Sequence, residues 1–93
     1  MIIIAGTLRV DPADRDAYLA AVGEATAMAR RTPGCLDFSQ SPDPLDAGRI
    51  NIYERWETDA ELEAFRALPG DDFVPAILGA DVARYRISAI EPP

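Results

Sequence analysis

The chain is 93 residues long, carries a formal net charge of −7, and contains no histidine and a single cysteine. Without imidazole there is no Ser-His-Asp or Cys-His nucleophile, no proton shuttle of that kind near neutral pH, and no histidine ligand for zinc, iron or haem. All nine basic residues are arginine against 16 carboxylates, so the clustered positive charge that phosphate neutralisation requires is missing and no nucleic-acid partner is expected.

The length fits one domain over residues 1–93. A core this small leaves much surface unburied, which makes a second copy a natural supplement. Cys35 alone can form neither an internal disulfide nor a CxxC site, which favours a cytoplasmic setting. The apolar run at residues 1–5 is far short of a signal core or a membrane span, so no membrane is expected as a partner.

Ile2–Val10 is rich in aliphatic and β-branched side chains at both alternating parities, the pattern of a strand covered on both sides. Asp11 followed by Pro12 reads as a helix cap and first turn, with Asp14 adding favourable negative charge. The helix is expected to run to Arg31, burying Tyr18, Ala21, Val22, Ala25 and Met28 along one face. Thr32-Pro33-Gly34 ends it. Residues 35–41 alternate as a strand, 42–48 are dense in turn formers, and 49–57 resume the alternation, which predicts a hairpin with a long loop. Thr58 and Glu61 form a capping box that opens a second helix with Leu62, Phe65 and Leu68 on its buried edge, broken at Pro69-Gly70. A short extra turn is expected over 72–78 and a last strand over 81–90.

The order β-α-β-β-α-β predicts an α+β, ferredoxin-like fold, an antiparallel sheet with both helices on one face. Apolar residues at successive positions, such as Ile2, Ile3 and Ile4, predict that the other face packs against another copy, giving a homodimer.

Four local features taken in order carry a family likeness. They are Pro33-Gly34-Cys35 leading into a strand with Phe38, the Asp43-Pro44 loop, Tyr53-Glu54-Arg55-Trp56, and the capped run Thr58-Asp59-Ala60-Glu61-Leu62. Over its full length the chain resembles the antibiotic biosynthesis monooxygenase (ABM) family of dimeric α/β barrels. The resemblance implies oxidation of an electron-rich aromatic by dioxygen without metal or flavin, with a haem-degrading branch. It also implies a pocket between the sheet and its helices, lined by a polar residue, the strand tryptophan and commonly a histidine. Trp56 matches the tryptophan. Phe65 and Gly70 stand at the histidine places, and Thr7 stands where haem-degrading members tend to carry asparagine, so haem held by histidine is ruled out.

Cofactor-free oxygenation needs a base and a means of holding the resulting anion in a dry pocket. Alternation along the third strand puts Ile50, Ile52, Glu54 and Trp56 on one face and Asn51, Tyr53 and Arg55 on the other. Glu54 beside Trp56 and aliphatic walls would have a raised pKa, suited to a general base. Arg84 and Arg86, at alternate positions of the last strand, could supply positive charge to an enolate-like oxygen. The expected catalytic set is therefore Glu54, Trp56 and Arg84. The expected substrate contacts are Thr7, Phe38, Ile52, Phe65 and Arg86, with no cofactor and no metal. The partners are a small aromatic (a quinol, anthrone or polyketide intermediate) and dioxygen.

Plainer roles compete at each position. Trp56 can be a core or interface anchor, Glu54 can pair with Arg84, Arg86 or Arg55, and Cys35 can be a small buried residue. Asn51 and Tyr53 suit interface packing, while Asp43, Asp46, Asp71 and Asp72 suit a solvated surface. At the level of function, the alternatives are a non-catalytic ligand-binding or stress-response dimer, and a cyclase or isomerase using Glu54 without oxygen.

Overall fold

In the computed structural model residues 1–69 and 75–93 are described. The elements follow the chain as β1 (Ile2–Val10), a 3-10 turn (Pro12–Asp14), α1 (Arg15–Ala21), α2 (Gly23–Arg31), β2 (Cys35–Pro42), β3 (Arg49–Trp56), α3 (Asp59–Arg66) and β4 (Ile77–Arg86). The strands form one antiparallel sheet in the order β2-β3-β1-β4. Helices cover one face of this ferredoxin-like α+β fold, as the element order predicts.

The first helical region is two helices rather than one. Asp11 caps the opening 3-10 turn by accepting the Ala13 amide, and the helix then breaks at Val22, whose φ of −90° and ψ of 0° lie outside regular helix. Val22-Gly23 joins a β-branched residue to glycine, the weakest local helix support in the region. Open space surrounds the place of a Gly23 Cβ, so no packing demand explains this glycine. The break changes the buried face: Tyr18 and Ala29 are fully buried, while Ala25 and Met28, expected inside, are exposed.

Alternation decides what β1 and β3 turn toward the helices. Ile2, Ile4 and Val10 of β1 and Ile50, Ile52, Glu54 and Trp56 of β3 are buried there. Two apolar clusters result. One joins Ile2, Ile4, Phe38 and Trp56 to Ala29 of α2 and Leu62 of α3, with Cys35 and Phe65 packed against it. The other joins Val10, Ile50 and Ile52 to Tyr18, whose hydroxyl donates to Gln40 Oε1 at 2.9 Å.

Two glycines are required by geometry. Gly6, at φ 152°, lies so close to β4 that a Cβ would run into the Asp81 carbonyl oxygen, and Gly34, at φ 86°, has the Glu61 carboxylate where its Cβ would be. Glu61 belongs to the predicted cap. The Thr58 hydroxyl accepts the Glu61 amide at 3.3 Å and donates to Glu61 Oε1 at 3.0 Å. The reciprocal bond of this capping box thus goes to the hydroxyl rather than to the Thr58 amide.

The 42–48 loop is built more firmly than a solvated acidic turn. Asp43 accepts from the Leu45 and Asp46 amides and from Asn51 Nδ2, while Asp46 accepts from Gly48 and pairs with Arg9. The Arg9 guanidinium holds the Asp46 carboxyl down at about 2.

The last strand begins earlier than its sequence pattern suggests. It pairs with β1 from Ile2↔Arg86 to Val10↔Ile77 with a bulge at Arg9/Val10, so the length of β1 sets its limits. Ile77 and Leu78, expected in a turn, are strand residues. The rest of that expected turn up to residue 74, together with Gly70, Asp71 and Asp72, lies outside the described residues.

The second face of the sheet carries Ile3, Ala5, Thr7, Asn51, Tyr53 and Arg55, half-buried within the single chain, and every residue of β4 is exposed. Among the described residues no helix is long and apolar enough to cross a membrane.

Candidate active site

Glu54 sits in the middle of the sheet, paired with Ile4 of β1 and Phe38 of β2. Its side chain enters the first apolar cluster and is 9% exposed. A buried carboxylate needs a donor, and Trp56, two residues on and on the same face, provides it through Nε1 to Oε1 at 3.0 Å. Burial pushes the Glu54 carboxyl above its ordinary range, while the indole hydrogen bond and the charge of Arg66 pull the other way. The result is a carboxylate whose charge is disfavoured by burial and whose Oε1 is held by an indole N–H.

Phe65 of α3 closes that enclosure. Its ring lies 5.5 Å from Trp56, tilted, and 5.6 Å from Phe38, edge to face. Phe65 also lines a groove of about 400 Å³ between the first two helices and α3, together with Ala21, Ala25, Met28, Leu68 and Pro69. Among the described residues its lining is apolar except for Glu24 and Arg66. Phe65 thus belongs to both the open groove and the Glu54–Trp56 enclosure.

The structure brings Glu54, Trp56, Phe38 and Phe65 together. Ile52 shares their face but packs in the second cluster with Tyr18. Thr7 does not join them: it pairs with Asn51 and Asp81, on the opposite face from Ile2 and Ile4, beside a shallow depression formed with Leu8, Arg9 and residues 79–81. β1 alternates, so position 7 cannot face the side that positions 2 and 4 face.

Arg84 and Arg86 lie on the helix side of β4, but they are engaged elsewhere. Arg84 donates to Asp59 Oδ1 at 2.8 Å and to Glu63 Oε1 at 2.7 Å, and Arg86 donates to both Asp59 oxygens at 2.9 and 3.3 Å. The two arginines tie the edge strand to α3, and none of their bonds goes to Glu54. Its hydrogen-bond partner is an indole rather than an arginine.

Reading the sequence for charge on strands overlooked Arg66. Its signal was available: it follows Phe65 and stands four residues after Leu62, so on a helix burying those two it sits at the edge of the same face. Cys35 is half-buried against the first cluster; burial, then the charges of Glu54 and Asp37, push its thiol up, which is unfavourable for a thiolate nucleophile.

Fold and site together define a small ferredoxin-like α+β protein with a buried carboxylate–indole pair next to an apolar helix groove. The sequence profile of the family described as antibiotic biosynthesis monooxygenase matches residues 1–70, and the chain belongs to that family.

Solved structures agree on the fold. A candidate antibiotic biosynthesis monooxygenase from Deinococcus radiodurans superposes with a TM-score of 0.86 at 20% identity, covering 100% of this chain and 98% of that one. A second candidate from Nitrosomonas europaea gives 0.80 at 15% identity, with 96% and 100% covered. The heme-degrader MhuD from Mycobacterium tuberculosis, solved with two hemes in its active site, gives 0.72 at 15% identity, with 99% and 100% covered. No curated protein matches the chain.

Haem held through imidazole does not fit this site. The chain has no histidine, and Phe65, at a place the family likeness assigns to one, is packed on Trp56 and Phe38.

Proposed function

We propose that the protein is a cofactor-independent monooxygenase that oxidises a small electron-rich aromatic, such as a quinol, an anthrone or a polyketide intermediate, with dioxygen. One observation carries this reading: a buried carboxylate with a raised pKa, held by the N–H of an indole whose ring packs on Phe65, a residue that also lines an apolar groove. An acidic C–H bond of an anthrone gives its proton to Glu54, and the electron pair left on carbon reduces dioxygen as the C–O bond forms. The peroxide takes the proton back and loses water, leaving a carbonyl, so one oxygen atom enters the product and the other leaves as water. Trp56 orients Glu54, and Phe38 and Phe65 keep water from the anion.

The same reading has the protein acting in the cytoplasm as a homodimer that pairs the open sheet faces in a dimeric α/β barrel. Supporting this are half-buried Ile3 and Tyr53 on that face and the Arg55 Nε, which is buried without a hydrogen-bond partner among the described residues.

Oxygen uptake on a panel of anthrones and hydroquinones, with chelator present and no flavin added, tests the chemistry. Wild type is expected to consume oxygen, and Glu54→Gln to lose activity by about 100-fold or more. Unchanged uptake in Glu54→Gln would remove Glu54 as the base. Proton exchange at a substrate carbon without oxygen use would show a cyclase or isomerase instead, and binding with neither would show a ligand-binding dimer.

A further inference from the structure

Among the described residues the groove carries two charges in an otherwise apolar lining, Glu24 of α2 and Arg66 of α3. Arg66 is loosely held. Its ion pair with Glu63 spans 3.9 Å with both side chains about half exposed, a contact of little strength. Glu63 is already gripped by Arg84 at 2.7 Å.

Several other arginines are committed. Arg84 binds Asp59 and Glu63, Arg86 binds Asp59, Arg9 binds Asp46, Arg15 donates to the carbonyls of Asp43 and Asp46, and Arg30 donates to the Phe38 carbonyl. Among the described residues the guanidinium that lines the groove is that of Arg66, next to the Phe65 ring.

We infer that Arg66 selects the substrate: the groove takes an aromatic bearing an anionic oxygen, a carboxylate or an ionised phenol, seated on the Arg66 guanidinium with its ring against Phe65. This rests on the reading of the groove as the substrate site. A planar guanidinium meets a carboxylate with two parallel hydrogen bonds, and apolar walls strengthen that pairing relative to open water. The chain's net charge of −7 repels anions at long range, so a local cation is what makes an anionic ligand acceptable. Glu24, also on the groove, repels the acidic end and so fixes the ligand's direction. The Arg66 charge also favours the ionised form of Glu54, against the effect of burial.

Isothermal titration calorimetry with 1-hydroxy-2-naphthoate and its methyl ester tests the inference without any turnover. Wild type is expected to bind the acid about tenfold more tightly than the ester. Arg66→Met should lose about tenfold for the acid with the ester unchanged, and Arg66→Lys should recover part of the loss. Equal binding of acid and ester by wild type, no binding of either, or an unaltered acid affinity in Arg66→Met would overturn it. Oxygen uptake is read separately on the same proteins. Discrimination by Arg66 without oxygen uptake keeps this inference and removes the oxygenase reading, whereas uptake from a neutral quinol without discrimination does the reverse.

Discussion

Glu54 and Trp56 work as a pair, and their hydrogen bond makes predictions for both. The folded-state pKa of Glu54 lies above its ordinary 4.5, so the folded protein binds this proton more tightly than the unfolded chain. Its contribution to stability is full below 4.5 and is lost as pH rises through the folded value. Urea denaturation of Glu54→Gln should therefore show a smaller loss of stability with rising pH over that window than wild type does. Trp56→Phe removes the N–H that favours the ionised carboxylate. The acid limb of the pH profile for oxygen uptake should then move to higher pH, with the Arg66 and Cys35 groups near Glu54 unchanged. An unmoved limb would mean that Glu54 is not the titrating group. Both residues were legible in the sequence because strand alternation is a local rule that puts positions 54 and 56 on one side whatever else the chain does.

Among the elements, α3 and β4 depend on each other. Thr58 opens α3 by capping the Glu61 amide, and Asp59 and Glu63 on its first turns hold Arg84 and Arg86 of the edge strand. Thr58→Ala should cost about 1 kcal/mol of stability, read from the denaturation midpoint, because an amide at the helix start loses its acceptor. Gly6→Ala should cost more, about 2 kcal/mol. Its Cβ would meet backbone of β4 rather than a side chain that can turn away, and the strand would have to move. The cap was legible as a four-residue motif. The ion pairs were not: Arg84 and Glu63 stand 21 residues apart, and only the docking of α3 beside the edge strand makes them neighbours.

At the level of the whole molecule, one sheet face is covered by helices and the other by none among the described residues. The proposed homodimer predicts that sedimentation equilibrium gives twice the monomer mass at micromolar concentration. Ile3→Glu, which puts a charge in the centre of the open face, should shift it toward monomer while leaving the helix-side cluster intact. A wild-type monomer would overturn the dimer.

By itself the sequence determined the order of strands and helical regions, the capped start of α3 and the shared face of Glu54 and Trp56. Each of these follows from periodicity or from chemistry within a few residues. Thr7 belonged to the same rule, since the parity of Ile2 and Ile4 already assigned it to the opposite face. The tertiary structure alone decided what depended on distant partners. It put the charges of Arg84 and Arg86 on α3 rather than on Glu54, turned Ala25 and Met28 from core into groove after the break at Val22, and left Arg66 facing that groove. A side chain's orientation can be read along the chain, but whether its charge is free or paired depends on which other element packs beside it.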